Sequence, residues 1–215
     1  MNPTEKPIVV WIEEPRRTGL SWFSGNLARL FRQLYIAGFS RFISLLGELS
    51  TPGMKPIGVL QAWALRCLGA TCPSSQIWIG PRVRFDYPER VVFGRRIVLG
   101  ADSRLTARSE IVLGDDFLSA PGLYINTGTH DINTLVPQSL PVRLGTGIWC
   151  GTRVTICAGV SVGDGAVIGA GSLVLHNLPA HHLALGAPCK PRRMLPPTER
   201  TARSWSNFRP PADVA

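Results

Sequence analysis

From Leu144 to Val174, apolar and small residues return every six positions. Leu144, Cys150, Ile156, Val162, Ile168 and Val174 form one column. Gly145, Gly151, Cys157, Gly163 and Gly169 follow them, and Ile148, Val154, Val160, Ala166 and Ser172 form a third column. Self-similarity at a short fixed period marks a solenoid, and a hexapeptide period points to a parallel β-helix. Side chains alternate between the two faces of a strand, so the first-column residue points inward as a plug while its neighbours point outward. The glycine after each plug, together with the third column, is expected to let the chain bend every six residues. Three such strands make a triangular coil, and each plug stacks on the plug one coil away.

The plug column extends back, less regularly, towards Gln76. Ile79, Phe85, Phe93, Leu99, Leu105, Leu113, Ser119 and Ile125 continue it. The steps from Phe85 to Phe93 and from Leu105 to Leu113 are eight residues long, which reads as bulged corners. The step from Ile125 to Leu144 is nineteen residues, read as one full coil plus one extra residue.

Upstream the period changes. Leu27, Leu30, Phe31, Leu34, Phe39, Phe42, Ile43 and Leu46 recur at steps of three and four, with Arg29, Arg32 and Arg41 between them. This predicts an amphipathic helix over residues 26–46, with Asn26 as its N-cap. The uncharged run between Arg32 and Arg41 is only eight residues, far short of the roughly twenty that a bilayer requires. The helix reads either as lying on an anionic membrane surface, a peripheral contact, or as packing on the open end of the solenoid or in an oligomer interface. Thr51–Pro56 breaks it, and Gly58–Leu68 reads as a second short helix. The organisation expected is an irregular leader over 1–25, a helical region over 26–75 and a β-helix over 76–178 with a loop at 131–143. A basic loop over 179–195 and a loosely ordered tail over 196–215 follow.

Composition narrows the function. The 215 residues carry a net charge of +9, which favours anionic partners. No nucleic-acid-binding motif accompanies that charge, so nucleic acid is not an expected partner. The five cysteines (Cys67, Cys72, Cys150, Cys157 and Cys189) are odd in number and form no CxxC pair, which suits a reducing, cytoplasmic setting. No His/Cys cluster has ligand spacing, so no metal is expected. The apolar patch Ile8–Ile12 runs into Glu13 and Glu14 and does not read as a signal peptide.

Candidate chemistry centres on two positions. His130 is the sixth residue of the hexad that begins at Ile125, and Trp149 the sixth of the hexad that begins at Leu144. On the coil-plus-one reading they share one corner on successive coils, roughly 5 Å apart along the axis. A loop at Asp131–Arg143 would bulge beside them. An imidazole is suited to general base catalysis near neutral pH; from the residues alone the plainer reading of His130 is a corner histidine that bonds backbone. Asp131 either orients that imidazole or starts the loop by bonding its own backbone. Trp149 either walls a groove or covers coil edges. Lys190, Arg192 and Arg193 form a basic cluster or a solvated C-terminal face.

The hexads, together with Trp149–Gly151, the GTHD of Gly128–Asp131 and the GAPCKPRR of Gly186–Arg193, resemble the hexapeptide-repeat acyltransferases. The likeness is to the sugar O-acetyltransferases of nodulation-factor, galactoside and colanic-acid type, and it covers roughly residues 76–195. It implies a left-handed parallel β-helix, against the usual right-handed crossover. It also implies acetyl-CoA as co-substrate, a carbohydrate hydroxyl as acceptor and direct attack with His130 as general base. Trp149 would wall the groove near the thioester, Thr152 and Ala170 would line the pantetheine arm, and Lys190 and Arg193 the nucleotide end. A homotrimer with its groove between two prisms is implied as well. Leu175–His176 stands where relatives carry Thr-Lys, so one phosphate contact is weaker or supplied elsewhere. Two alternatives on the same scaffold are an N-acyl or xenobiotic acetyltransferase and a non-catalytic solenoid scaffold.

Overall fold

The computed structural model describes residues 20–49 and 55–196. The expected leader before Leu20 and the tail after Pro196 lie outside the described residues. The hexads wind into a three-sided solenoid. Coil one comprises β1 (Ile77–Ile79), β2 (Arg84–Asp86) and β3 (Val91–Phe93), and coil two β4 (Ile97–Leu99), β5 (Arg104–Thr106) and β6 (Ile111–Leu113). Coil three holds β7 (Leu118–Ser119) and β8 (Tyr124–Asn126). It then leaves the column as an antiparallel hairpin of β9 (Gly128–His130) and β10 (Pro137–Ser139) before returning as β11 (Val142–Leu144). Coil four is β12 (Trp149–Cys150), β13 (Thr155–Ile156) and β14 (Ser161–Val162). Coil five opens with β15 (Val167–Ile168) and β16 (Leu173–Val174), and Leu178 bridges Val162 on its third side. β17 (His182–Leu185) and β18 (Lys190–Met194) close the C-terminal end.

Each strand pairs in parallel with its equivalent on the next coil. Face one runs β1-β4-β7-β12-β15-β17-β18, face two β2-β5-β8-β13-β16 and face three β3-β6-β11-β14. The later coils keep the eighteen-residue repeat, as in Leu144↔Val162 and Ile156↔Val174. The earlier ones repeat every twenty, as in Phe85↔Leu105 and Phe93↔Leu113. In coil one the two extra residues are taken up at a corner by Tyr87 at φ 60 and a 3-10 turn, Pro88–Arg90. The predicted plugs, from Ile79 to Val174, are buried, each aliphatic one contributing about 1.5–3 kcal/mol relative to an exposed side chain. Ser119, a polar plug, accepts a hydrogen bond from the Gly100 amide on the preceding coil at 3.1 Å.

The glycines after the plugs serve close approach rather than bending. A Cβ on Gly151 would lie 2.6 Å from the Ala170 amide nitrogen on the next coil. The left-handed backbone that turns each corner sits two residues later, at Gly147, Arg153, Gly159, Gly165 and Gly171.

The segment expected as a basic loop is built differently. β17 is a further rung on face one, with Val167↔Leu183 and Ile168↔Ala184 in register and Ala184 fully buried in the plug column. Gly186, at φ 109, reverses the chain, and β18 pairs antiparallel to cover the last strand edge.

Two helices close the other end: α1 (Leu20–Glu48) and α2 (Lys55–Cys67). α1 starts six residues before the expected cap, so Asn26 lies within it. Leu20, Phe23 and Leu27 continue the three-and-four spacing in the sequence, and this carries the helix upstream. Ile43, Leu65 and Leu68 join the solenoid core. Gly47 and Gly58 let both helices settle on coil one, since a Cβ on either would come within 2.5 Å of a backbone oxygen of that coil or its approach. Gln61, fully buried, donates to the Ile79 carbonyl at 2.7 Å and accepts from the Ile79 amide at 2.9 Å. A side-chain amide thus stands in for the missing strand at the open edge of β1.

Candidate active site

The hairpin that carries His130 is an ordered structure. Its strands pair as Gly128↔Ser139, Thr129↔Gln138 and His130↔Pro137. Its base is tied to the column by Thr127, fully buried, whose hydroxyl accepts from the Ser109 amide at 2.8 Å. Asn126 brackets Gly128 with two 3.0 Å bonds, one to its amide and one to its carbonyl. At the tip, Asp131 Oδ1 accepts from the Thr134 amide at 2.8 Å, the Asn133 amide at 2.9 Å and the Thr134 hydroxyl at 3.0 Å. Those bonds, the Thr134 amide first, hold the Asp131 carboxyl below the usual aspartate range. Of the two readings open for Asp131, its observed bonds are those of the residue that starts a turn. The His130 side chain is exposed, and no hydrogen bond or ion pair reaches it among the described residues. The anchors Thr127 and Asn126 were not singled out in the sequence, where only their position just before GTHD marks them.

A second set of residues gathers on face one. Ala120, Trp149, Thr152, Val167, Ala170 and Leu183 are among those lining a shallow hollow of about 310 Å³. The hollow spans four successive rungs, from Ala120 just past β7 to Leu183 on β17, and the corner where face one turns into face two. Trp149 stands out from the strand, half exposed, while its neighbour Cys150 plugs the core. Cys150 is a neutral thiol: full burial pushes its pKa up to about 12. Arg193 pairs with Leu183, a lining residue, and Lys190 with Leu185. Both cations are exposed. The hollow is therefore apolar along its floor, and two exposed cations stand on β18, the strand next to its last lining residue.

The structure brings Trp149, Thr152, Ala170, Lys190 and Arg193 onto one face and separates His130 from them. The shared corner expected for His130 and Trp149 is not observed. Ile125 pairs with Ile156 on face two, whereas Leu144 pairs with Leu113 and Val162 on face three. The nineteen-residue step is one hexad plus a thirteen-residue insertion, not one coil plus one residue; accordingly Ile125 and Ile156 are thirty-one residues apart instead of eighteen. His130 leaves the prism where face two meets face three, and Trp149 stands where face three meets face one.

No family model matches the chain. It is 32% identical over 130 residues to a protein of Escherichia coli named provisionally as a colanic acid biosynthesis acetyltransferase, covering 60% of this chain and 71% of that one. It is 29% identical over 160 residues to a provisionally named acetyltransferase of Schizosaccharomyces pombe, covering 72% and 77%. Among solved structures it is similar to a maltose O-acetyltransferase of Clostridium difficile, with a TM-score of 0.65 and 26% identity over 77% of this chain and 87% of that one. The neighbouring structures are left-handed β-helices, and a right-handed coil would not superpose on them. The chain belongs to the hexapeptide-repeat acetyltransferases, with the left-handed solenoid of that family.

Proposed function

We propose that the protein transfers an acetyl group from acetyl-CoA to a hydroxyl of a carbohydrate, with His130 as general base. The observation that carries this is a division of labour between two surfaces. An imidazole stands on an anchored hairpin at one edge, and an apolar hollow lies along face one with exposed Lys190 and Arg193 on the adjoining strand. The hollow suits a pantetheine arm laid along Trp149, Thr152 and Ala170, with the phosphates towards Lys190 and Arg193. The carbohydrate acceptor follows from the similarity to a maltose O-acetyltransferase and to a protein named for colanic acid biosynthesis.

The acceptor oxygen attacks the thioester carbonyl carbon while its proton passes to the His130 imidazole. The tetrahedral intermediate then breaks its carbon–sulfur bond. The leaving thiolate recovers the proton from the imidazolium, and the acetyl ester remains on the acceptor. Cys150 takes no part as an acyl carrier, since its thiol is buried and neutral. Asp131 acts through the hairpin: it fixes the turn next to His130 and so limits where the imidazole can go.

Because His130 and Trp149 occupy different edges of one prism, one copy does not hold the complete site. A cyclic trimer, with the hairpin edge of each copy facing the hollow of the next, completes three sites at once. Replacing His130 with Ala tests the chemistry: transfer should fall while coenzyme A binding and the fold persist. Retention of most of the activity would refute the role.

A further inference from the structure

Fifteen large hydrophobic side chains are exposed among the described residues, and nine of them lie on the helical cap. The other six are Ile132 and Leu135 at the hairpin tip and Trp149, Leu175, Leu185 and Met194 on the C-terminal coils. The cap residues are remote from both. Along α1 and just beyond it, Leu30, Leu34, Leu45 and Leu49 recur at steps of four, eleven and four, multiples of the helical turn. They fall on the side opposite the buried Ile43 and Gly47. On α2, Val59, Leu60 and Trp63 are exposed while Gln61, Ala62 and Leu65 are buried. Rings join the two helices, with Tyr35 against Phe39 at 4.7 Å and Phe39 against Trp63 at 5.8 Å between centroids. The Tyr35 hydroxyl donates to the Cys67 carbonyl at 2.8 Å. The two amphipathic helices therefore form one fixed layer, its inner side on coil one and its outer side apolar.

The charge on that layer is mainly basic. Among the cap residues whose side chains are described, Arg41, Lys55 and Arg66 are exposed cations and Glu48 is the one acidic residue. Arg41 lies within the exposed α1 stripe, and Lys55 opens α2. An apolar face bearing leucines and a half-exposed tryptophan, set among arginine and lysine, is the pattern of a surface that lies in a bilayer interface. No helix among the described residues is long and apolar enough to cross one.

We infer that the outer face of α1 and α2 docks the protein on an anionic lipid surface, with Leu34, Leu45, Leu60 and Trp63 entering the interface and Arg41 and Lys55 at the headgroups. The inference is independent of the reaction proposed above. The test is sedimentation of the full-length chain with phosphatidylglycerol–phosphatidylcholine vesicles and with vesicles of phosphatidylcholine alone, at low and high salt. The expected result is binding to the anionic vesicles that weakens with salt, and little binding to the neutral ones. Leu45→Glu with Leu60→Glu should abolish it. Arg41→Gln and Lys55→Gln should each weaken it about fivefold at low salt. Light scattering and thermal unfolding of each variant show whether mass and fold are kept. Absence of binding to anionic vesicles would overturn the inference, as would double-glutamate protein that still binds. A change of oligomeric mass with vesicle binding intact would assign the face to a protein interface and overturn it too.

Discussion

His130 and Trp149, nineteen residues apart, leave the solenoid at different edges. The plug five residues before His130, Ile125, stacks on face two, and the plug five residues before Trp149, Leu144, stacks on face three. On the proposed reading the base and the hollow beneath Trp149 meet across two copies, and each side of that junction can be tested alone.

The His130→Ala variant should lose about 10²–10⁴-fold in kcat, the usual worth of a positioned general base. The check is a thiol-release assay with acetyl-CoA and an acceptor sugar, with coenzyme A binding followed in parallel by calorimetry. Loss of binding together with loss of rate would mean that the imidazole supports the coenzyme instead.

Asp131 separates a positioning role from a charge role. Asn accepts the same hydrogen bonds at Oδ1, so Asp131→Asn should keep most of the activity and Asp131→Ala should lose much more. If the carboxylate charge oriented the imidazole, both variants would fail alike. The sign of the pH effect follows from the depressed carboxyl. A group that protonates at lower pH when folded than when unfolded stabilises above its unfolded value, near about 3.9. That contribution is lost as the pH falls through the folded value. Amide exchange at Asn133 and Thr134 should therefore be protected at neutral pH and lose its protection on acidification below about pH 4 in the wild type. In Asp131→Asn it should lack that dependence.

Lys190→Ala with Arg193→Ala should weaken acetyl-CoA binding about tenfold or more at low salt, through lost phosphate contacts. The same variant should handle acetyl-pantetheine, which lacks the nucleotide, as the wild type does. Equal losses for both donors would place the two cations elsewhere in the reaction.

The fold was readable because burial imposes the period: every plug from Ile79 to Val174 is named by the hexad columns and is buried. Two features were not read from it. The column glycines suggested bends, yet their role is to let one coil touch the next, and a requirement set by a neighbouring coil leaves no local mark. The step from Ile125 to Leu144 equals a coil plus one in number, and only strand pairing distinguishes that from a hexad plus thirteen. A sequence signal for the second reading does exist. Face three carries two apolar residues per strand, Val91 and Phe93, Ile111 and Leu113, Val142 and Leu144. Face two in the same coils reads polar–plug–polar at Arg84–Asp86 and Arg104–Thr106. Leu144 thus matches Leu113, not Ile125.

Gln61 offers a stability test of the cap. Gln61→Leu keeps the volume but leaves the Ile79 amide and carbonyl buried without partners. The cost should be about 2–4 kcal/mol, from roughly 1–3 kcal/mol per unsatisfied buried group. Urea unfolding measures it, and a change below about 0.5 kcal/mol, the range of an ordinary surface substitution, would mean that the edge of β1 is satisfied in another way.

The most direct measurement is subunit complementation. His130→Ala lacks the base, and Ala170→Trp fills the hollow on face one, so each should be inactive alone. Co-refolded in equal amounts, they should regain about a quarter of wild-type activity, because in a random heterologous ring one junction in four joins an intact hairpin to an intact hollow. No recovery from mixed oligomers of confirmed composition would mean that base and donor groove belong to one copy, and the account would fail.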